Sequence, residues 1–234
     1  MYDWERGLGT CMNCDEVFQL HTFKRKGEAN KEYVKPEWQN NVLISDKAVK
    51  WFEDRGISQR TLIKMKISEG SEWMPQTSKV ENTIQFNYFI NNELINIKYR
   101  DGRKNFKLVK GAEKVFYNID STVGHDYVVI VEGEMDALSF VDAKIDSVVS
   151  VPNGATLNRL NLDYLDNCIE YFDDKSKIII AVDQDEAGQN LQQELIRRFG
   201  AEVCYTINFN DCKDANEYML RYGDTMLKRL VDTA

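Results

Sequence analysis

The stretch KIIIAVDQDEAGQN, residues 177–190, decides how this chain folds. Its first half, Ile178-Ile179-Ile180-Ala181-Val182, is apolar without alternation, which suits a strand buried on both faces of a sheet. The run then ends in Asp183-Gln184-Asp185-Glu186. Three carboxylates within four residues serve no packing purpose. They form either a solvated loop or a place that holds something of opposite charge.

Working outward, the same rhythm repeats. YVVIVEG (127–133) is a second short apolar strand, and EMDALSFVDA (134–143) has helical spacing. SVVSVPNGA (147–155) is a strand running into a glycine loop, LDYLDNCIEYF (162–172) a helix, EAGQNLQQELIRRFG (186–200) a helix, and EVCYTI (202–207) a strand. The last stretch, 214–234, is expected to be helical. Strands alternating with helices of this length predict an α/β fold, a parallel sheet with helices on both faces.

Ahead of it lies a smaller α+β subdomain. SDKAVKWFEDRGIS (45–58) predicts a helix capped by Ser45, with Val49 and Phe52 on one face and an end at Gly56; Ser58 caps a second short helix. NTIQFNYFI (82–90), the turn Asn91-Asn92 and ELINIKYR (93–100) predict a hairpin, and KNFKLVKG (104–111) a further strand after Asp101-Gly102. The expected division is therefore 1–26, 27–124, 125–212 and a C-terminal helical segment 213–234. Within 1–26, Cys11-x2-Cys14 is one knuckle of a zinc ribbon. Tetrahedral zinc takes four ligands; His21 could add a third, and no fourth is evident, so Cys11 and Cys14 would hold Zn²⁺ only if the other half of the ribbon were supplied.

Charge divides the chain in the same place. Residues 1–126 carry 20 Lys+Arg against 18 Asp+Glu, whereas residues 127–234 carry 10 against 20. An acidic half can still meet phosphate if divalent cations stand between them. No apolar run approaches the ~20 residues of a membrane span, and the N-terminus does not read as a signal peptide. With Cys168, Cys204 and Cys212 scattered, reduced thiols and a cytoplasmic location, with no membrane partner, are the expectation.

In an open parallel sheet, function gathers at the C-terminal ends of the strands. Glu132 ends one strand and Asp183 another, Asp185 lies two residues on, and Asp136 sits one turn into the helix after Glu132. Unit like charges ~4 Å apart repel by about 4 kcal/mol at an effective dielectric of 20. Converging carboxylates would therefore raise their own pKa values or recruit cations, and an all-oxygen set suits Mg²⁺ or Mn²⁺. Glu134 and Glu186 read more simply as helix-start residues.

VEGEMDALS (131–139) followed by VDQDEAG (182–188) resembles the Toprim domain of primases, topoisomerases and some nucleases. CKDANEY (212–218), KYRDGRKNFK (98–107) and VSVPNGA (149–155) narrow the resemblance to the primases of T-odd phage primase-helicases and their Twinkle-type relatives, which begin with a four-Cys zinc domain. The resemblance implies a DNA primase RNA polymerase domain, joining NTPs into short RNA primers on a single-stranded DNA template by two-metal phosphoryl transfer. It implies Glu132, Asp183 and Asp185 as catalytic residues and Mg²⁺ ligands, with Asp214 completing the metal surface and Asp136 an outer contributor. Lys98, Arg100, Lys104, Lys107, Lys213, Asn153 and Gly154 would face nucleotide or template, and Phe106 would stack on a base or pack in the core. A replicative helicase, fused or separate, is the implied partner, since no Walker motif is present here. The missing first knuckle suggests either a fragment of a longer protein or remaining parts carried on separate polypeptides. Two other functions fit the same carboxylates: a Toprim nuclease, and a non-catalytic template-binding module.

Overall fold

Depth in the fold follows from the alternation of apolar strands and amphipathic helices. The structure is a computed structural model that describes residues 32–36, 44–155 and 162–234, together with the backbone of 2–3, 8–10 and 17–19. The chain divides into two units, Met1–Glu32 and Tyr33–Ala234. In the first, β1 (Tyr2–Asp3), β2 (Leu8–Thr10) and β3 (Val17–Gln19) form an antiparallel sheet in that order. Cys11, Cys14 and His21, and with them the expected half ribbon, lie outside the described residues.

The second unit opens with two short helices, α1 (Asp46–Glu53) and α2 (Gln59–Lys64). Both caps are those expected: the Ser45 hydroxyl accepts from the N–H of Ala48, and that of Ser58 from Thr61. Ala48 and Phe52 are the buried residues of α1, while Val49 is only half-buried. The helix also ends before Gly56, which instead turns the chain at φ 73°.

An antiparallel sheet follows, ordered β4 (Ser68–Met74), β5 (Lys79–Ile90), β6 (Glu93–Asp101), β7 (Phe106–Leu108). The strand β4 has no counterpart in the expectations, because SEGSEWM alternates polar residues with glycine and carries no apolar stripe of its own. Asn91 and Asn92 close the β5–β6 hairpin, both at positive φ (51° and 63°), and their N–H groups donate to the Asp120 carboxylate. On one face of this sheet Phe86 and Tyr88 are buried, and pairing sets Lys98 opposite Phe86, Arg100 opposite Ile84, and Phe106 opposite Arg100.

The chain then enters the parallel sheet through β8 (Tyr127–Val131), α3 (Glu134–Asp142), β9 (Val148–Ser150), α4 (Asp163–Cys168), β10 (Lys177–Ala181), α5 (Glu186–Phe199) and β11 (Cys204–Thr206). The strand order is β11-β10-β8-β9, all parallel. Two helices finish the chain, α6 (Ala215–Tyr222) and α7 (Asp224–Thr233), separated at Gly223, whose φ of 89° interrupts the single helical stretch expected there.

Every side chain of Val128 to Val131 and of Ile178 to Ala181 is buried, as two-sided burial of a central strand requires. One apolar core joins these strands to Phe86, Tyr88, Phe116, Tyr117 and Phe140, so the antiparallel and parallel sheets share an interior. Cys168, Cys204 and Cys212 are free thiols. Among the described residues no helix is long and apolar enough to cross a membrane.

Candidate active site

The strand ends deliver the first part of the site. β8 and β10 pair in register from Tyr127↔Lys177 to Val131↔Ala181. Glu132, the residue after β8, therefore emerges beside Val182, and Asp183 one step beyond. Glu132 Oε1 accepts from the Ala155 N–H at 3.0 Å, so the Asn153-Gly154 loop after β9 spends a backbone donor on this carboxylate. Oε2 is buried, with no hydrogen-bond partner among the described residues. Burial pushes the Glu132 pKa up, and Asp183 and Asp185 add to the rise against the Ala155 donor and the Lys213 charge.

Asp183 is likewise raised, chiefly by burial, although the Lys213 ammonium 2.9 Å from its Oδ2 opposes this. The same ammonium lies 3.7 Å from Asp185 Oδ2 and has its pKa raised to about 12 by Asp183. Asp185 spends its other oxygen as the cap of α5, accepting from Gly188 N–H at 3.0 Å. Gly188 is fixed by contact: a Cβ there would sit 2.0 Å from the Asp183 carbonyl oxygen, so only glycine lets α5 start this close to the strand end. Asp214 does for α6 what Asp185 does for α5, with Oδ1 accepting from Glu217 N–H at 2.8 Å. Two of the acidic residues thus hold a helix start with one oxygen, which leaves the other outside the cap.

Asp136 is 7% exposed and accepts from the Asn216 N–H at 3.1 Å. Burial drives its pKa well above the usual carboxylate range, with Asp214 and Asp183 adding to the effect. It ties α3 to the start of α6 beneath the other carboxylates.

The opposite wall of the cleft is basic and aromatic. The space has a volume of about 640 Å³, lined on one side by Glu132, Asp183, Asp214 and Lys213, and on the other by Lys98, Arg100, Lys104, Phe106 and Lys107. Asn153 and Gly154 line it too, while Asp185 stands just outside the lining. Lys98 is not a free surface cation. Its ammonium is buried and held by both oxygens of Glu134 at 2.8 and 2.9 Å, and the Tyr88 hydroxyl donates to the same carboxylate at 2.5 Å. Lys107 pairs with Glu72 at 2.7 Å, whereas Lys104 is exposed at the rim. Phe106 is 38% exposed, with Lys98 Nζ and Arg100 near its ring, so it belongs to the cleft wall and not to the core.

Three contributors were not singled out by the sequence. Glu134 does start a helix, as expected, but it is also the buried partner of Lys98. Trp51 and Arg55 come from α1 and the turn after it. The Arg55 guanidinium lies 3.8 Å above the Trp51 ring and that of Arg100 4.5 Å from it, and both donate to backbone carbonyls. Burial and the nearby Arg55 charge hold Arg100 below the usual guanidinium range. The i, i+4 spacing of Trp51 and Arg55 was the available signal.

A divalent cation fits this donor set on two observations. Glu132 presents an unpartnered, buried anionic oxygen, and a side-chain cation already stands between Asp183 and Asp185. Among the described residues no group of three or more His, Cys, Asp or Glu side chains is gathered closely enough to hold a metal ion, so an ion here would take part of its coordination from water or phosphate.

Residues 129–219, which carry Glu132 at one strand end and Asp183-x-Asp185 at the next, match the Toprim-like family model. The sequence relatives of the chain are primases and primase-helicases. It is 32% identical over 205 residues to a primase homologue protein of Arabidopsis thaliana, covering 80% of this chain and 59% of that protein. It is 30% identical over 205 residues to the chloroplastic/mitochondrial Twinkle homologue of the same plant, covering 80% of this chain and 28% of the other. The matched region is thus less than two thirds of either relative. By structure the chain is similar to the primase fragment of the bacteriophage T7 primase-helicase, with a TM-score of 0.64, 25% identity, and coverage of 97% of this chain and 91% of that one.

Proposed function

We propose that this chain is the RNA-polymerising part of a DNA primase, joining NTPs into short RNA primers on a single-stranded DNA template. The observation that carries this is the facing of two unlike walls across one cleft: acidic strand ends on the Toprim side, and guanidinium, ammonium and aromatic groups on the sheet ahead of it. Such a cleft is of the size that takes a nucleotide. A basic-aromatic wall receives triphosphate and base, while an acidic wall without cations would repel them.

Glu132, Asp183 and Asp185 would hold Mg²⁺ or Mn²⁺, with the free oxygen of Asp214 at the rim. Divalent ions bound there supply charge stabilisation at the attacking and leaving oxygens of an in-line phosphoryl transfer. Glu132 would serve either as a metal ligand or as the base that accepts the 3′-hydroxyl proton. Asp136 is assigned a positioning role, since both its burial and its bond to Asn216 direct it at the frame beneath the site. Arg55, Arg100 and Lys104 would grip phosphates, and Phe106 and Trp51 offer ring faces to a base. Lys98 and Lys107, already paired, would act by shaping that wall. Asn153 remains available to the nucleotide; the Ala155 N–H is committed to Glu132. A helicase acting on the same DNA, fused or separate, is the partner this activity calls for.

The test supplies labelled ATP and CTP, Mg²⁺ and single-stranded DNA. New oligoribonucleotides that vanish in Asp183→Asn and Glu132→Gln, with both variants folded, support the reading. Shortened DNA instead of new oligomers would identify a nuclease, and template binding without any product a non-catalytic module.

A further inference from the structure

Among the described residues, Lys213 has the one ammonium that stands among the acidic strand ends, and its backbone is fixed from both directions. Its carbonyl accepts from the Gln184 N–H at 2.9 Å, inside the Asp183–Asp185 loop. Its own N–H donates to Glu217 Oε2 at 2.8 Å on α6. The side chain is 55% exposed, held at its tip by Asp183 and Asp185 and otherwise unconfined by the core. A fixed backbone and a half-exposed side chain describe a charge that can swing without moving the fold.

Resting on the metal-dependent polymerase reading above, we infer that Lys213 is a built-in stand-in cation: it neutralises Asp183 and Asp185 until a divalent ion displaces it, and the released ammonium then turns to the nucleotide triphosphate. The reasoning is electrostatic. Ammonium and divalent cation compete for the same oxygens, and like charges a few ångströms apart cannot both remain there. The displaced tip lines the cleft that receives the nucleotide, so an anionic triphosphate gives it a second partner. Metal and nucleotide then assist each other's binding through one side chain, and the coupling acts equally in both directions.

Mn²⁺ binding to the full chain, followed by the spectroscopic signal of the free ion, tests this without reading activity. The measurement compares wild type, Lys213→Ala, Lys213→Met and Asp183→Asn, each with and without a non-hydrolysable ATP analogue. Without nucleotide, Lys213→Ala and Lys213→Met should bind Mn²⁺ about fivefold more tightly than wild type, the upper range for a half-exposed ion pair. The tightening of Mn²⁺ binding by the analogue, seen in wild type, should shrink in both. Equal affinity and equal coupling in wild type and both Lys213 variants would overturn the role of Lys213, while loss of binding in Asp183→Asn alone would leave the metal reading standing. Absence of Mn²⁺ binding in every protein would overturn the metal reading, and this inference with it.

Discussion

Lys98 and Glu134 form a buried ion pair that joins β6 of the antiparallel sheet to the first turn of α3. The side chains are 10% and 4% exposed, and Tyr88 completes the hydrogen bonding of the carboxylate. The pair therefore sits where the basic wall of the cleft meets the parallel-sheet half, and it fixes one against the other. Removing one partner leaves the other charged and buried, at a cost of about 3–5 kcal/mol. Lys98→Met and Glu134→Gln should each lower stability by roughly that amount in urea unfolding. The double variant Lys98→Met/Glu134→Leu should lose far less than the sum, because no orphan charge remains.

Gly188→Ala should be costly although it adds a single methyl group. The new Cβ would meet the Asp183 carbonyl at 2.0 Å and its carbon at 2.8 Å, and backbone cannot yield as a flexible side chain does. Overpacking of this kind costs ~1–3 kcal/mol. For a chain of this size that is a fall in Tm of roughly 2–12 °C. Because the clash displaces Asp183 itself, primer synthesis should fall by more than the loss of folded protein explains.

Glu132→Gln should behave in the opposite sense on stability. In the metal-free protein Glu132 is a partly buried anion with one oxygen unpartnered, and its raised pKa means the ionised form is disfavoured by folding. Neutralising it should stabilise the metal-free chain at pH 7 by roughly 1 kcal/mol, read as a higher Tm in EDTA, while abolishing synthesis. A lower Tm would show that the carboxylate is retained for packing.

Asp101 gives a pH dependence of the ordinary sign. Burial pushes its pKa up, but the side-chain amide of Asn105 and the N–H groups of Asn105 and Arg103, at 2.8, 2.8 and 2.9 Å, outweigh this and hold it below the usual carboxylate range. Its contribution is thus complete above the unfolded pKa of about 3.9 and is lost as pH falls through the lower folded value. Asp101→Ala should be less stable than wild type by about 1–3 kcal/mol at pH 7. The gap should narrow as the pH of the urea titration is taken below 4.

The parallel-sheet half was legible because its signals are local. An apolar run ending in acids announces both a buried strand and what lies at its tip, so Glu132, Asp183 and Asp185 could be singled out as candidates before their strands were known to be neighbours. The basic wall was legible only as a list of candidates. Alternation set Lys98 and Arg100 on one face, but it could not say that Lys98 faces Glu134 while Arg100 faces Trp51, since those partners are 36 and 49 positions away in the chain. Strand β4 was missed for a related reason: its pairing with β5 holds it in the sheet, and its own composition does not.

The sequence by itself determined the order of elements, the helix caps at Ser45 and Ser58, the Asn91-Asn92 turn and the acids at the strand tips. Each of these depends on residues a few positions apart, and backbone preference and hydrophobic periodicity act over that range. Tertiary structure alone decided which charges are spent on one another and which remain for a ligand. Asp185 and Asp214 give one oxygen to a helix start, Lys98 is consumed by Glu134, and Lys213 bridges Asp183 and Asp185, whereas Glu132 keeps a bare oxygen. The free energy of a charge depends on its burial and on its neighbours in space, and only the folded chain sets either.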